Sequence, residues 1–168
     1  YLEKENPYVS GITKKIERPR YRSVARATKY WTAFISHRPL LLDVFERKHL
    51  IDIDEISIDH FLPWSFTTHD LLWNLHPVNK SINSSKNNLL PSENYLESFT
   101  KLQYEFCRFL SLEKKEAALI DYYTLFGCSK EELTTITQTR FINKLNNHYL
   151  PQYEVAKNMG FGQNWSLI

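Results

Sequence analysis

Apolar residues recur at helical spacing between residues 20 and 36, where Val24, Ala27, Trp31, Phe34 and Ile35 fall on one face. The pattern predicts an amphipathic helix that ends before Pro39. Ahead of it, residues 1–20 read as irregular, punctuated by Pro7, Gly11 and Pro19. Residues 40–58 are mixed: Leu40-Leu41-Leu42 and Val44-Phe45 fit either a helix end or a short strand. The period then shortens. Residues 56–63, β-branched and apolar up to Pro63, predict a strand, and Trp73 to Val78 predict a second. Residues 64–72 between them read as a loop. Residues 79–88 are polar, yet Val78, Ile82 and Leu89 can anchor one face of a short helix. Past Pro91 the helical period returns. Leu96, Phe99, Leu102, Phe106, Phe109 and Leu110 form one stripe, and Ile120, Tyr123 and Phe126 a second that stops at Gly127. Ser129 to Glu132 is a capping box opening a third helix, faced by Leu133, Ile136, Phe141, Leu145 and Tyr149 and interrupted at Pro151. The predicted order over 56–88 is strand, loop, strand, helix, set among longer helices.

Composition narrows the class. The 168 residues are 42% hydrophobic and 24% charged, enough apolar mass for a core. Only four glycines are present, and no phosphate-cradling glycine loop is among them. Two cysteines, Cys107 and Cys128, fit neither a zinc-knuckle pair nor a disulfide framework, so a reducing, cytoplasmic setting is expected. No apolar run is long enough to span a bilayer, so no membrane partner is expected. A chain opening on Tyr1 is expected to be a piece of a larger protein.

Charge changes the picture more. Net charge is +2, but the window Lys14–Lys29 holds seven basic residues and one acid, +6 in all, leaving −4 for the remainder. Arg18, Arg22, Arg26 and Lys29 lie at i, i+4, i+8 and i+11. On a helix they form a positive stripe suited to a phosphate backbone, or a solvated face. Lys80 and Lys86 add basic positions beside the second strand.

The polar residues of 56–88 carry the chemistry. Asp59 and His60 are adjacent, Asn74 follows His60 by 14 residues and Asn83 follows it by 23. Asp59 and Asn83 offer hard oxygen donors, suited to Mg²⁺ or Mn²⁺. His60 has the proton affinity of a general base near neutral pH. Lys86, one helical turn past Asn83, is placed to reach a phosphate oxygen. On a strand Asp59 and His60 point to opposite faces unless the backbone bends. His76 shares a strand face with Asn74 and is a candidate supporting residue. His69-Asp70 reads as a turn-fixing pair, and Trp64 and Trp73 as core.

With Asp59, His60, Asn74 and Asn83 in that order and spacing, the chain resembles the HNH endonucleases, whose ββα-metal fold carries such a set. The stretch Asp59-His60-Phe61-Leu62-Pro63-Trp64-Ser65-Phe66 is similar to the D-H-x-x-P-x-S-F of the HNH domain in RNA-guided CRISPR effector nucleases. The resemblance implies Asp59 and Asn83 as metal ligands, His60 as general base on a bent strand, and Asn74 as the residue that holds the loop and orients His60. It implies cleavage to 5′-phosphate and 3′-hydroxyl ends. The C-x2-C zinc pairs of many such proteins are missing, so the hairpin must be held by packing, against residues 20–36 and 93–110.

The expected architecture is therefore α+β: a small ββα-metal centre in a mainly helical domain. Its parts are a basic segment and helix (1–43), the nuclease core (44–91) and a helical elaboration (92–168). The expected activity is metal-dependent hydrolysis of DNA, one strand per centre, in a bacterial or archaeal CRISPR or other antiphage effector. The partners are DNA and a larger parent protein or multi-subunit complex, RNA-guided complexes among them. A restriction-type endonuclease, a catalytically silent nucleic-acid-binding module and a helical assembly domain stay open.

Overall fold

The computed structural model describes residues 23–50, 52–162 and 165–167. Seven α-helices and one two-stranded antiparallel sheet make up these residues. Helix α1 (Ala25–His37) buries Ala27, Trp31, Phe34 and Ile35, the face its sequence period marks. Its last carbonyls, Phe34 and Ile35, accept from the Arg38 N–H just before Pro39. A turn follows, with Leu42 bridged to His49. Strand β1 (Ile56–His60) and strand β2 (Leu75–Asn79) pair with Asp59 opposite His76 and His60 opposite Leu75. Both strands are shorter or shifted relative to the sequence pattern. Phe61 to Pro63 leave the ladder, and Leu72–Asn74 is a 3-10 turn leading into β2. The expected loop also contains a one-turn helix, α2 (Trp64–Thr67). Helix α3 (Lys80–Lys86) starts as soon as β2 ends.

Helices α4 (Leu96–Leu112), α5 (Glu116–Phe126), α6 (Lys130–Thr135) and α7 (Gln138–Asn158) supply the frame. Gly127 ends α5 at φ +57°, the left-handed position that glycine occupies without steric cost. The Ser129–Glu132 capping box forms, but it opens only the short α6. Thr137 then caps a separate helix by accepting from Arg140 N–H. That helix continues through Pro151, against expectation. Asn147 and Pro151 are both exposed, so the carbonyl that loses its i+4 donor faces water.

One continuous core joins all of these pieces. Trp31 of α1 stacks on Phe106 of α4 at 3.6 Å. The hairpin is seated on the frame by Phe61, directly after β1, which stacks on Phe99 of α4 at 4.1 Å. Tyr149 of α7 meets the Phe61 ring edge-on at 5.7 Å. The hairpin is thus held by packing on helices. The chain's last described residues return to this region: Trp165 pairs with Leu90 and Ser92 through its backbone and packs edge-on against Phe45 at 5.0 Å. Among the described residues, no helix is long and apolar enough to cross a membrane.

Candidate active site at the hairpin and helix α3

Period two puts Ser57 and Asp59 on one side of β1. Helix α3 covers that side. Asn83 Nδ2 donates to Ser57 Oγ at 2.9 Å, and Lys86 Nζ lies 2.9 Å from Asp59 Oδ2. Asp59 and the Asn83-bearing helix are therefore brought to one face of β1. Asn83 is half-buried and Asp59 is 3% exposed.

His60 goes the other way. The ladder stays in register through His60 and Leu75, so the bend implied by the resemblance is not seen within it. The His60 Nε2 lies 2.8 Å from Asp70 Oδ1, in the connection between the strands. The other Asp70 oxygen accepts from the Ser23 N–H at 2.8 Å. Asp70 is the residue that sequence reasoning missed. It reads as half of a turn pair with His69, and only the folded connection carries it to His60. An acid ten residues past a candidate base was the sole available signal.

Asn74 clamps the connection. Its Oδ1 accepts from Leu62 N–H at 2.9 Å and its Nδ2 donates to Leu62 O at 2.9 Å. Its own carbonyl accepts from Phe61 N–H at 2.8 Å. Tyr149 of α7 donates to Trp73 O at 2.5 Å and approaches Asn74 Oδ1 at 3.3 Å. Asn74 thus fixes the two residues that follow His60, and its loss would loosen the site as a whole.

Lys86 is not where a phosphate could meet it. It is fully buried, with its ammonium donating to the His60 carbonyl at 2.8 Å and paired with Asp59. The reason is its place on the inner face of a short helix pressed onto β1, where a charge survives only if paired. His76, opposite Asp59, is also fully buried, with Nε2 4.0 Å from Asp59 Oδ2. Burial first, and then the Lys86 charge, push its pKa down to about 3, so the ring is neutral. Trp73 belongs to the core, as expected.

The basic stripe fares differently. Arg18 and Arg22 lie outside the described residues. Arg26 does not face solvent as a free charge. It binds Asp121 of α5 at 2.9 Å and the Ala117 carbonyl at 2.6 Å, fastening α1 to α5. Lys29 is exposed on α1. Lys80 is exposed and its ammonium donates to the Asp54 carbonyl.

The donor set has the chemistry of a hard divalent cation site. One carboxylate and one amide oxygen are hard donors, and a hard cation that keeps several waters needs few protein ligands. Asn83 spends its amide N–H₂ on Ser57, leaving Oδ1 as the acceptor end. The Lys86 ammonium occupies the Oδ2 side of Asp59, so a cation would take the other carboxylate oxygen or displace the ammonium. The residues therefore fit a hard divalent ion. Among the described residues, no group of three or more His, Cys, Asp or Glu side chains forms an alternative centre.

Residues 43–92 match the family model described as HNH endonuclease. Members of that family hydrolyse nucleic acid and generally depend on a divalent metal. No curated protein and no solved structure matches the chain.

Proposed function

We propose that the HNH endonuclease segment of residues 43–92 hydrolyses DNA phosphodiesters with Mg²⁺ or Mn²⁺, one strand per centre. The observation that carries the reading is the docking of α3 on the Ser57–Asp59 side of β1, which sets Asn83 beside the strand that ends in His60. Asp59 and Asn83 would hold the cation. When bound, it supplies neutralisation of the charge that grows on the phosphate oxygens and leaving group. His60 would take the proton from the attacking water once the elements around it part and bring its ring to the Asp59–Asn83 face. The new P–O bond forms as the bond to the 3′ oxygen breaks, leaving a 5′-phosphate and a 3′-hydroxyl. Asn74 keeps the residues after His60 in place, and Lys29 and Lys80 are the described cations of the proposed backbone contact. The Asp59–Phe66 pattern supports an effector of a CRISPR or other antiphage system as the parent, with target choice made by the rest of a larger protein or complex.

Nicking of supercoiled plasmid tests this reading. Nicking should require Mg²⁺ or Mn²⁺, stop with a chelator, and fall by about 10²–10⁴ in His60→Ala, the range a general base contributes. Metal-dependent cleavage of RNA alone would replace the substrate. An undiminished rate in His60→Ala would remove His60 from the chemistry.

A further inference from the structure

We infer that Asp70 is the positioning residue of His60: its carboxylate selects the imidazole tautomer with the proton on Nε2 and leaves Nδ1 as the basic nitrogen of the ring. The inference rests on the reading of His60 as general base.

A carboxylate only accepts hydrogen bonds, so an imidazole nitrogen 2.8 Å from Asp70 Oδ1 must carry the proton. In a neutral ring the lone pair is then on Nδ1. The bond is also geometrically firm. The His60 side chain is 2% exposed and that of Asp70 21% exposed, so water competes weakly for either partner. Asp70 Oδ2 is occupied by the Ser23 N–H at 2.8 Å, which fixes the plane of the carboxylate. The residues on either side of Asp70 are tied down as well. Leu72 N–H donates to Asp121 Oδ2 at 2.8 Å. The His69 ring sits edge-on against Trp73 at 4.9 Å. On the strand side, the Lys86 ammonium holds the His60 carbonyl. The imidazole is thus gripped at its backbone by α3 and at its far nitrogen by the connection. Such a grip turns a histidine with two interchangeable nitrogens into a base with one.

The connection is the right place for this acid. Asp70 lies within the loop that the Leu62–Asn74 clamp closes, so a shift of the clamp would move both ends of the His60–Asp70 pair together. The Ser23 contact extends the chain of bonds to the residue just before the N-cap of α1.

Two measurements on the full chain test the inference, with Asp70→Ala and the isosteric Asp70→Asn. Thermal melting first establishes that each variant is folded. In Mn²⁺-dependent plasmid nicking, kcat should fall about 10–100-fold, the usual loss when a carboxylate supporting an imidazole is removed. KM should stay within about twofold, since ground-state binding is untouched. In ¹⁵N spectra of ring-labelled histidine, the His60 signals, assigned by their loss in His60→Ala, should report Nε2–H in the wild type. They should report a mixture of tautomers in Asp70→Ala. The spectra need no turnover, so they decide even for a chain that does not nick alone. An unchanged tautomer in Asp70→Ala overturns the inference. So does an unchanged kcat while His60→Ala is inactive, which leaves the base reading standing. A raised kcat overturns it too, and makes Asp70 a latch. If His60→Ala keeps full activity, the base reading fails by itself and the spectra alone judge Asp70.

Discussion

Lys86 carries its charge with no contact to solvent, and Asp59 is the group that makes this tolerable. Truncating one member of such a pair leaves the other buried and alone, at a typical cost of about 3–5 kcal/mol. Lys86→Ala should lose about that much in urea unfolding. Asp59→Leu combined with Lys86→Met should recover most of it, because two apolar groups need no partner. A double variant as unstable as the single would show that the pair is not what Lys86 contributes. His76 adds a pH signature beside it. Its folded pKa of about 3 lies below the ordinary 6.5, so the unfolded chain binds the proton first. The stability is complete above 6.5, falls as pH drops through the window from 6.5 to about 3, and then levels off. Between pH 6.5 and 5 the His76 share is on the order of 2 kcal/mol. Replacing His76 by Phe should flatten that part of the stability–pH curve, and a slope as steep as the wild type would assign the acid sensitivity elsewhere.

At the scale of elements, the connection between the strands and helix α1 decide how the centre is held. Asn74→Ala deletes both bonds to Leu62 and should cost about 3 kcal/mol, read as a lower denaturation midpoint at constant slope. Arg26 belongs to α1–α5 packing. With its side chain 42% exposed, Arg26→Ala should cost only about 1 kcal/mol and leave the salt slope of DNA binding unchanged. Lys29→Glu, by contrast, should flatten that slope by roughly one unit if Lys29 meets a phosphate. Much of this scale was legible in the sequence. The two strands, α3, the α1 stripe, the capping box and the Gly127 stop follow from local period and turn chemistry, which need no partner. The strand ends, the split of α6 from α7 and the passage of α7 through Pro151 were not. Each depends on what the neighbouring segment offers or on which side water lies.

The same division holds for the whole molecule. Asp59, Asn74 and Asn83 sit at the ββα unit because their spacing is a property of the chain. The bonds of His60 to Asp70, of Arg26 to Asp121 and of Lys86 to Asp59 join segments 10, 95 and 27 residues apart, and no pattern along the sequence announces them. They also have a joint result. Asp59 and His60 are 3% and 1% exposed, so on the proposed reading a phosphate would reach them only after the surrounding elements part. Hydrogen exchange should then find the connection at 61–74 opening at lower free energy than α4 and the stacked Trp31–Phe106 pair.

The buried ammonium of Lys86 gives that opening a chemical clock. Acylating reagents attack only a free amine in water, so the folded chain should take label at Lys29, Lys48 and Lys101 while Lys86 stays unmodified. The peptide holding Lys86 would gain mass only as often as α3 lifts from β1. Labelling with and without DNA or divalent cation would then time the exposure of the centre in a chain that has not yet cut anything.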